Sequence, residues 1–130
     1  MSATNRQRIS SGGPWETSAG YSRALVAGDA CFVAGTTDAG PDGTSQHPGD
    51  AGAQAQAVFD IIERALGQGG FAMPDVVRTR MFVTDPADVP AVSAAHGQRF
   101  GEIRPAATLV IVAGLMHPSL LVEIEAEARR

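Results

Sequence analysis

Leu120-Leu-Val-Glu-Ile-Glu-Ala-Glu-Ala128 alternates apolar and acidic residues from Val122 onward. Side chains of a strand switch face at every residue. Leu120, Val122, Ile124, Ala126 and Ala128 therefore share one face, and Leu121, Glu123, Glu125 and Glu127 share the other. Just upstream lies Arg104-Pro-Ala-Ala-Thr-Leu-Val-Ile-Val-Ala-Gly-Leu115. Its stretch 108–115 is so rich in β-branched and aliphatic residues that it predicts a strand buried on both faces. The chain thus closes on two strands, and the last of them gives its sheet one apolar and one acidic face.

The remaining elements follow outward from that pair. Residues 7–10 read as a short edge strand and 10–16 as a turn-rich loop, from their Gly and Pro content. Residues 21–26 and 31–34 read as strands joined by a hairpin at Ala27-Gly-Asp29. Residues 36–49 show no periodicity and are expected to be a mobile loop. Asp50 is a candidate N-cap, after which Val58, Ile61, Ile62, Ala65 and Leu66 recur at helical spacing until Gly67, Gly69 and Gly70. Residues 76–84 predict a strand with Val77, Thr79, Met81 and Val83 on one face and Arg78, Arg80 and Phe82 on the other. Asp85 or Asp88 caps a second helix that tolerates Pro90 in its first turn, with Val89, Val92, His96 and Phe100 inward. The order β-β-β-α-β-α-β-β is an α+β plan, a mixed sheet with two helices on one face. The other face carries Glu123, Glu125, Glu127, Arg78 and Arg80, and it is either solvated or packed against other subunits.

One domain accounts for 130 residues, with residues 1–8 expected to be flexible. A hydrophobic content of 44% and a net charge of −4 describe a globular chain without the basic face that nucleic-acid binding needs. No apolar run approaches the ~20 residues that cross a bilayer, and the first residues lack the apolar core of a signal peptide, so the expected location is the cytoplasm. All 10 basic residues are arginine, which excludes lysine Schiff-base chemistry and covalent pyridoxal phosphate. The single Cys31 sits in Ala-Cys-Phe-Val-Ala and reads as a small core hydrophobe. His47, His96 and His117 lie in separate segments without ligand spacing, so neither a metal nor another cofactor is expected. Gly67-Gln-Gly-Gly-Phe lacks the lysine of a phosphate loop, and 38–50 lacks the closing glutamate of a calcium loop.

Several segments taken together resemble the Rid (reactive intermediate deaminase, YjgF-like, endoribonuclease L-PSP) family. They are Gly-Pro-Trp-Glu and Gly-Tyr-Ser-Arg-Ala within 13–24, Phe-Val-Ala-Gly-Thr at 32–36, Asp-Val-Val-Arg-Thr-Arg-Met-Phe-Val-Thr-Asp at 75–85, Arg-Pro-Ala-Ala-Thr at 104–108 and Val-Glu-Ile-Glu-Ala at 122–126. The resemblance runs from about Ile9 to Ala128. It implies a chorismate-mutase-like fold of the bacillus type, a homotrimer packed through its sheets around a three-fold axis, and clefts between subunits. It also implies hydrolysis of 2-imino acids to 2-keto acids and ammonia. In such a site an arginine holds the substrate carboxylate as a bidentate fork, and a glutamate on the last strand positions water. That glutamate matches Glu123. The N-terminal aromatic matches Trp15 or Tyr21.

Three positions depart from the family's pattern. Ala107 stands where the family has its arginine, Ala34 where it has a serine, and Ser93 where it has an asparagine. Arg104, three residues before Ala107, is the candidate replacement, with Pro105 expected to hold it extended. The implied cleft contains Glu123, Thr108, Arg104 and one of the aromatics, and its ligand is a small carboxylate-bearing molecule. Two functions remain open. One is a hydrolase acting on a small imine or enamine. The other is a trimer that binds or regulates through the same cleft without catalysis.

Overall fold

In the computed structural model, which describes residues 6–130, the chain runs β1 (Arg6–Ile9), α1 (Trp15–Ala19), β2 (Ala24–Ala27), β3 (Ala30–Thr36), α2 (Ala51–Gln68), β4 (Val76–Val83), α3 (Val89–Phe100), β5 (Ala106–Ile111) and β6 (Val122–Arg129). The six strands form one sheet in the order β1-β2-β3-β6-β4-β5. Only β4 and β5 run parallel, with α3 as their crossover; the other pairings are antiparallel. The α+β plan inferred from sequence is therefore the one observed, and the last strand lies between β3 and β4 in the middle of the sheet.

Alternation along β6 decides which face is covered. Val122, Ile124, Ala126 and Ala128 are buried, while Glu123, Glu125 and Glu127 are half-buried on the opposite face. The apolar side packs with Cys31 and Val33 of β3 and Met81 and Val83 of β4 beneath Val58, Phe59, Ile62 and Leu66 of α2 and Val92 and Phe100 of α3. Asp50 caps α2, its Oδ1 accepting from the Ala53 amide at 3.0 Å. Asp85 accepts from the Ala87 amide at 2.9 Å and caps the 3₁₀ turn that precedes α3, while Asp88 makes no side-chain cap. Among the described residues no helix is long and apolar enough to cross a membrane.

Three local expectations change. Part of the 10–16 loop is helical, because Glu16 folds back to accept from the Ser11 amide at 3.0 Å and Gly20, at φ 77°, closes the turn. Val77 is not on the inner face. A register shift between Val76 and Arg78 puts Val76 in the core and leaves Val77 43% exposed. Most consequentially, β5 is an edge strand with β4 as its one neighbour, so Val110 and Ile111 are 41% and 47% exposed. Its composition is that of a covered strand, and the described residues do not supply the cover. Of the segment 1–8, residues 6–8 belong to β1 and 1–5 lie outside the described residues.

The 36–49 loop is tied to the body through buried polar groups. Asp38, 3% exposed, accepts from Ser45 Oγ at 2.9 Å and from the His47 amide at 3.1 Å. The fully buried Gln54 of α2 then bridges this loop to the start of β6. Its Nε2 donates to the carbonyls of His47 and Ser119 at 3.1 and 2.9 Å, and its Oε1 accepts from the Leu121 amide at 2.9 Å. Replacing it strands the Ser119 carbonyl and the Leu121 amide, while the His47 carbonyl still accepts from the Asp50 amide at 3.2 Å; each buried unpaired group costs about 1–3 kcal/mol. Gln54→Ala is expected to lower unfolding stability by about 3 kcal/mol in urea titration, and Gln54→Met, which restores volume without the hydrogen bonds, is expected not to recover it.

Candidate functional site

The outer face of the sheet is ordered in rows by strand register. Glu127 lies opposite Phe32 and Arg78, Glu125 opposite Arg80, and Glu123 opposite Phe82. Arg80 Nη1 donates to Glu127 Oε1 at 3.2 Å and reaches Glu125 Oε1 at 3.5 Å. Two of the three glutamates thus share one guanidinium, and Glu123 is left without an ion pair among the described residues.

Glu123 faces a shallow cavity of about 240 Å³ walled by Gly35, Phe82, Val112, Gly114, Leu115 and Glu125. Its carboxylate lies against Gly35, where a Cβ would collide with Glu123 Oε2. Glycine at this position is what lets the acid lie flat across β3. Burial raises the Glu123 pKa above its usual 4.5; the nearby Arg23 guanidinium opposes the rise and Glu125 adds to it.

Arg23, the residue before β2, reaches the rim of this cavity by bonding to Gly35 and does not itself wall it. Its Nη2 donates to the Gly35 carbonyl, and its guanidinium lies 5.8 Å from the Tyr21 ring centre. The Arg23 Nε is shut off from solvent and has no acceptor among the described residues. Gly35 is thus a shared platform, with its carbonyl holding Arg23 and its bare Cα admitting Glu123.

The residues predicted from sequence divide into two groups. Glu123 is in the cavity, and Tyr21 is joined to it through Arg23. Tyr21 also lines a wider depression of about 680 Å³ with Arg6, Arg8 and Phe32. Thr108 is exposed on β5 in the row of Arg80 and Glu125, one row away from Glu123. Arg104 precedes β5 at its far end. Ala106 shares the row of Arg78 and Glu127, four residues or about 13 Å of strand from the row of Glu123. It is not extended as Pro105 suggested. Arg104 has φ 56°, because its amide turns back to the Phe100 carbonyl at 2.8 Å to finish α3. Trp15 is 54% exposed on α1, and its ring edge is turned toward Gly43 of the 36–49 loop. A single chain therefore does not gather Arg104, Thr108 and Trp15 around Glu123. His96 donates to or accepts from Thr79 Oγ1 at 2.9 Å in the core, and burial lowers its pKa. Among the described residues no three His, Cys, Asp or Glu side chains are placed to hold a metal ion.

A family model described as Endoribonuclease L-PSP matches residues 14–130. The chain belongs to the YjgF/Rid family. Within it, the chain is 34% identical over 108 residues to a protein of Acinetobacter baylyi named 3-aminoacrylate deaminase RutC, covering 83% of this chain and 85% of that one. An uncharacterised Streptomyces coelicolor protein is 38% identical over 130 residues, covering 100% and 96%. The crystal structure of a Mycobacterium tuberculosis member of the YjgF/YER057c/UK114 family superposes with a TM-score of 0.87 at 45% identity, covering 96% of this chain and 99% of that one. The chorismate-mutase-like fold implied by the sequence resemblance is the fold observed. Sequence reasoning missed Gly35, Phe82 and Arg23 as site residues, although Arg23 and Gly35 stand inside two of the segments that carry the family resemblance.

The raised pKa of Glu123 has a stability consequence. Ionising Glu123 costs more in the folded chain than in the unfolded one, so it subtracts stability above its raised pKa, and the deficit disappears as pH falls through that value to 4.5 and below. Glu123→Gln is therefore expected to have a higher Tm than the wild type at pH 7, with the gap closing on acidification; a gap independent of pH would contradict the assignment.

Proposed function

We propose that this protein hydrolyses a small imine, enamine or related metabolite in a cleft completed by a second copy of the chain. The observation that carries the reading is Glu123, a half-buried carboxylate with a raised pKa, without an ion pair among the described residues and set over Gly35 in a cavity whose wall is apolar except for Glu125. A base of that kind takes a proton from water at neutral pH more readily than an exposed carboxylate does. Water activated by Glu123 attacks the C=N carbon, the C–O bond forms, and the proton passes to nitrogen. The resulting carbinolamine collapses to a carbonyl and ammonia. The imine carbon is already electrophilic, so orientation and a base suffice. Membership in the family, and the deaminase name of the Acinetobacter relative, support a reaction of this class.

The exposed apolar edge formed by Val110 and Ile111 of β5, together with the 39% exposed Phe32, supports assembly through the outer sheet face, which we read as a homotrimer. In that assembly Thr108, Arg104 and Ala107 of one copy would face Glu123 and Tyr21 of the next. The cytoplasm fits this chemistry. A net charge of −4 does not offer the basic face that RNA cleavage would use, despite the family's name. One observation favours a second reading, a non-catalytic trimer that binds a small ligand: Ala107 cannot hold a carboxylate as the family's arginine does. That residue also argues against full activity on 2-iminopropanoate and 2-iminobutanoate.

Two measurements test these readings. Imines generated in place by an amino-acid oxidase, with semicarbazide as competing trap, are expected to be hydrolysed slowly by the wild type and faster by Ala107→Arg. Glu123→Gln is expected to lose about 100-fold or more, the usual worth of a general base. If neither wild type nor Ala107→Arg acts, the hydrolase reading fails and the binding reading replaces it. Light scattering is expected to give three times the chain mass of 13.4 kDa, and Val110→Asp with Ile111→Asp is expected to give monomers; a wild-type monomer would remove the shared cleft.

A further inference from the structure

With Ala107 in place of an arginine, the cleft has no cation on β5 beside the reacting position, and the structure offers one from another strand. We propose that Arg23 is the anion-binding side chain of this site, holding a carboxylate or comparable oxyanion of the small molecule whose reacting carbon faces Glu123. The proposal rests on the reading of the Glu123 cavity as a ligand site.

Four observations carry it. First, Arg23 has donors to spare. Of five guanidinium N–H groups, one on Nη2 is engaged at the Gly35 carbonyl and Nε is buried, which leaves three on the two Nη nitrogens without an acceptor among the described residues. Second, it has no carboxylate partner. Arg80 takes up Glu125 and Glu127, whereas Arg23 forms no ion pair among the described residues although its charge is felt at Glu123. A partly desolvated cation lacking an anion is an unbalanced charge that an incoming oxyanion relieves. Third, the guanidinium is held from two sides, by the Gly35 carbonyl and by the Tyr21 ring at 5.8 Å, so its fork is oriented before any ligand arrives. Fourth, Arg23 and Glu123 meet on a single residue, Gly35. An anion on one and a reacting carbon before the other must then be close neighbours in the ligand, which selects a short molecule with its charge beside the reacting carbon. Tyr21 thereby acts as a positioning residue for Arg23.

The test measures binding separately from turnover. Ligand-observed NMR on the intact protein would compare 2-oxobutanoate with uncharged butanone for the wild type, Arg23→Gln and Arg23→Lys, with circular dichroism confirming the fold of each. The wild type is expected to prefer 2-oxobutanoate. Arg23→Gln is expected to weaken it roughly 10- to 100-fold, the range for a lost hydrogen bond to a charged group, with butanone unchanged. Arg23→Lys, which keeps the charge but not the fork, is expected to recover part of the loss. A crystal of the wild type soaked in 2-oxobutanoate should place the carboxylate on Arg23, a readout that needs no variant to fold. Equal binding of 2-oxobutanoate and butanone, undiminished binding by Arg23→Gln, or a neighbouring subunit's carboxylate seated on Arg23 in that crystal would each overturn the proposal. If Arg23-dependent binding is found without imine hydrolysis, Arg23 stands and the hydrolase reading falls. If hydrolysis proceeds with KM unaltered in Arg23→Gln, the reverse holds.

Discussion

The pairing register of β6 between β3 and β4 governs everything else in this molecule. Along β6 the side chains alternate between aliphatic and acidic, and a slip of one residue would exchange the two sets. Three carboxylates would then lie under α2, and the core of Val122, Ile124 and Ala126 would face outward. The cost of burying those charges without partners is far greater than any single packing term. The sheet's register is thus fixed by what cannot be buried as firmly as by what must be.

The same register builds the site. Glu123 meets Gly35 only because β3 and β6 pair through an irregularity between Val33 and Thr36, which opens the ladder where the carboxylate crosses. Arg23 comes to that point because β2 pairs with β3 so that the Arg23 carbonyl accepts from the Ala34 amide at 3.0 Å. The acid lies on β6, the glycine on β3 and the cation just before β2, and no two of them are close in sequence except through the β2–β3 hairpin. Val112, Gly114 and Leu115, which follow β5, wall the cavity on one side.

What could be read from sequence follows from this division between local and distant causes. Alternation in β6, the 3.6-residue period of α2 and the Asp50 cap are local patterns, and each predicted its element. The bulge at Val77 and the short helix at Trp15 were invisible, because each depends on a single backbone irregularity or on a hydrogen bond such as Ser11 to Glu16. Burial of β5 was misjudged for a different reason: aliphatic density does not report a strand's place in the sheet, and β5 lies at the edge. Glu123 was legible through family resemblance. Arg23 was quoted in the sequence as part of Gly-Tyr-Ser-Arg-Ala, but its place beside Glu123 is a consequence of cross-strand geometry that one sequence cannot display. The left-handed turn at Arg104 likewise overrode the extended conformation that the following proline favours.

Cys31, the only thiol of the chain, is fully inaccessible in β3, and burial pushes its pKa up. Thiolate is the reactive form, so alkylating reagents and peroxides find nothing to attack while β3 stays paired. The native protein is in that sense silent to thiol chemistry, and any labelling that occurs times the opening of the β2–β3–β6 ladder. Because Gly35 is four residues further along the same strand, that clock runs on the element that carries the cleft, and a ligand that binds there would slow it.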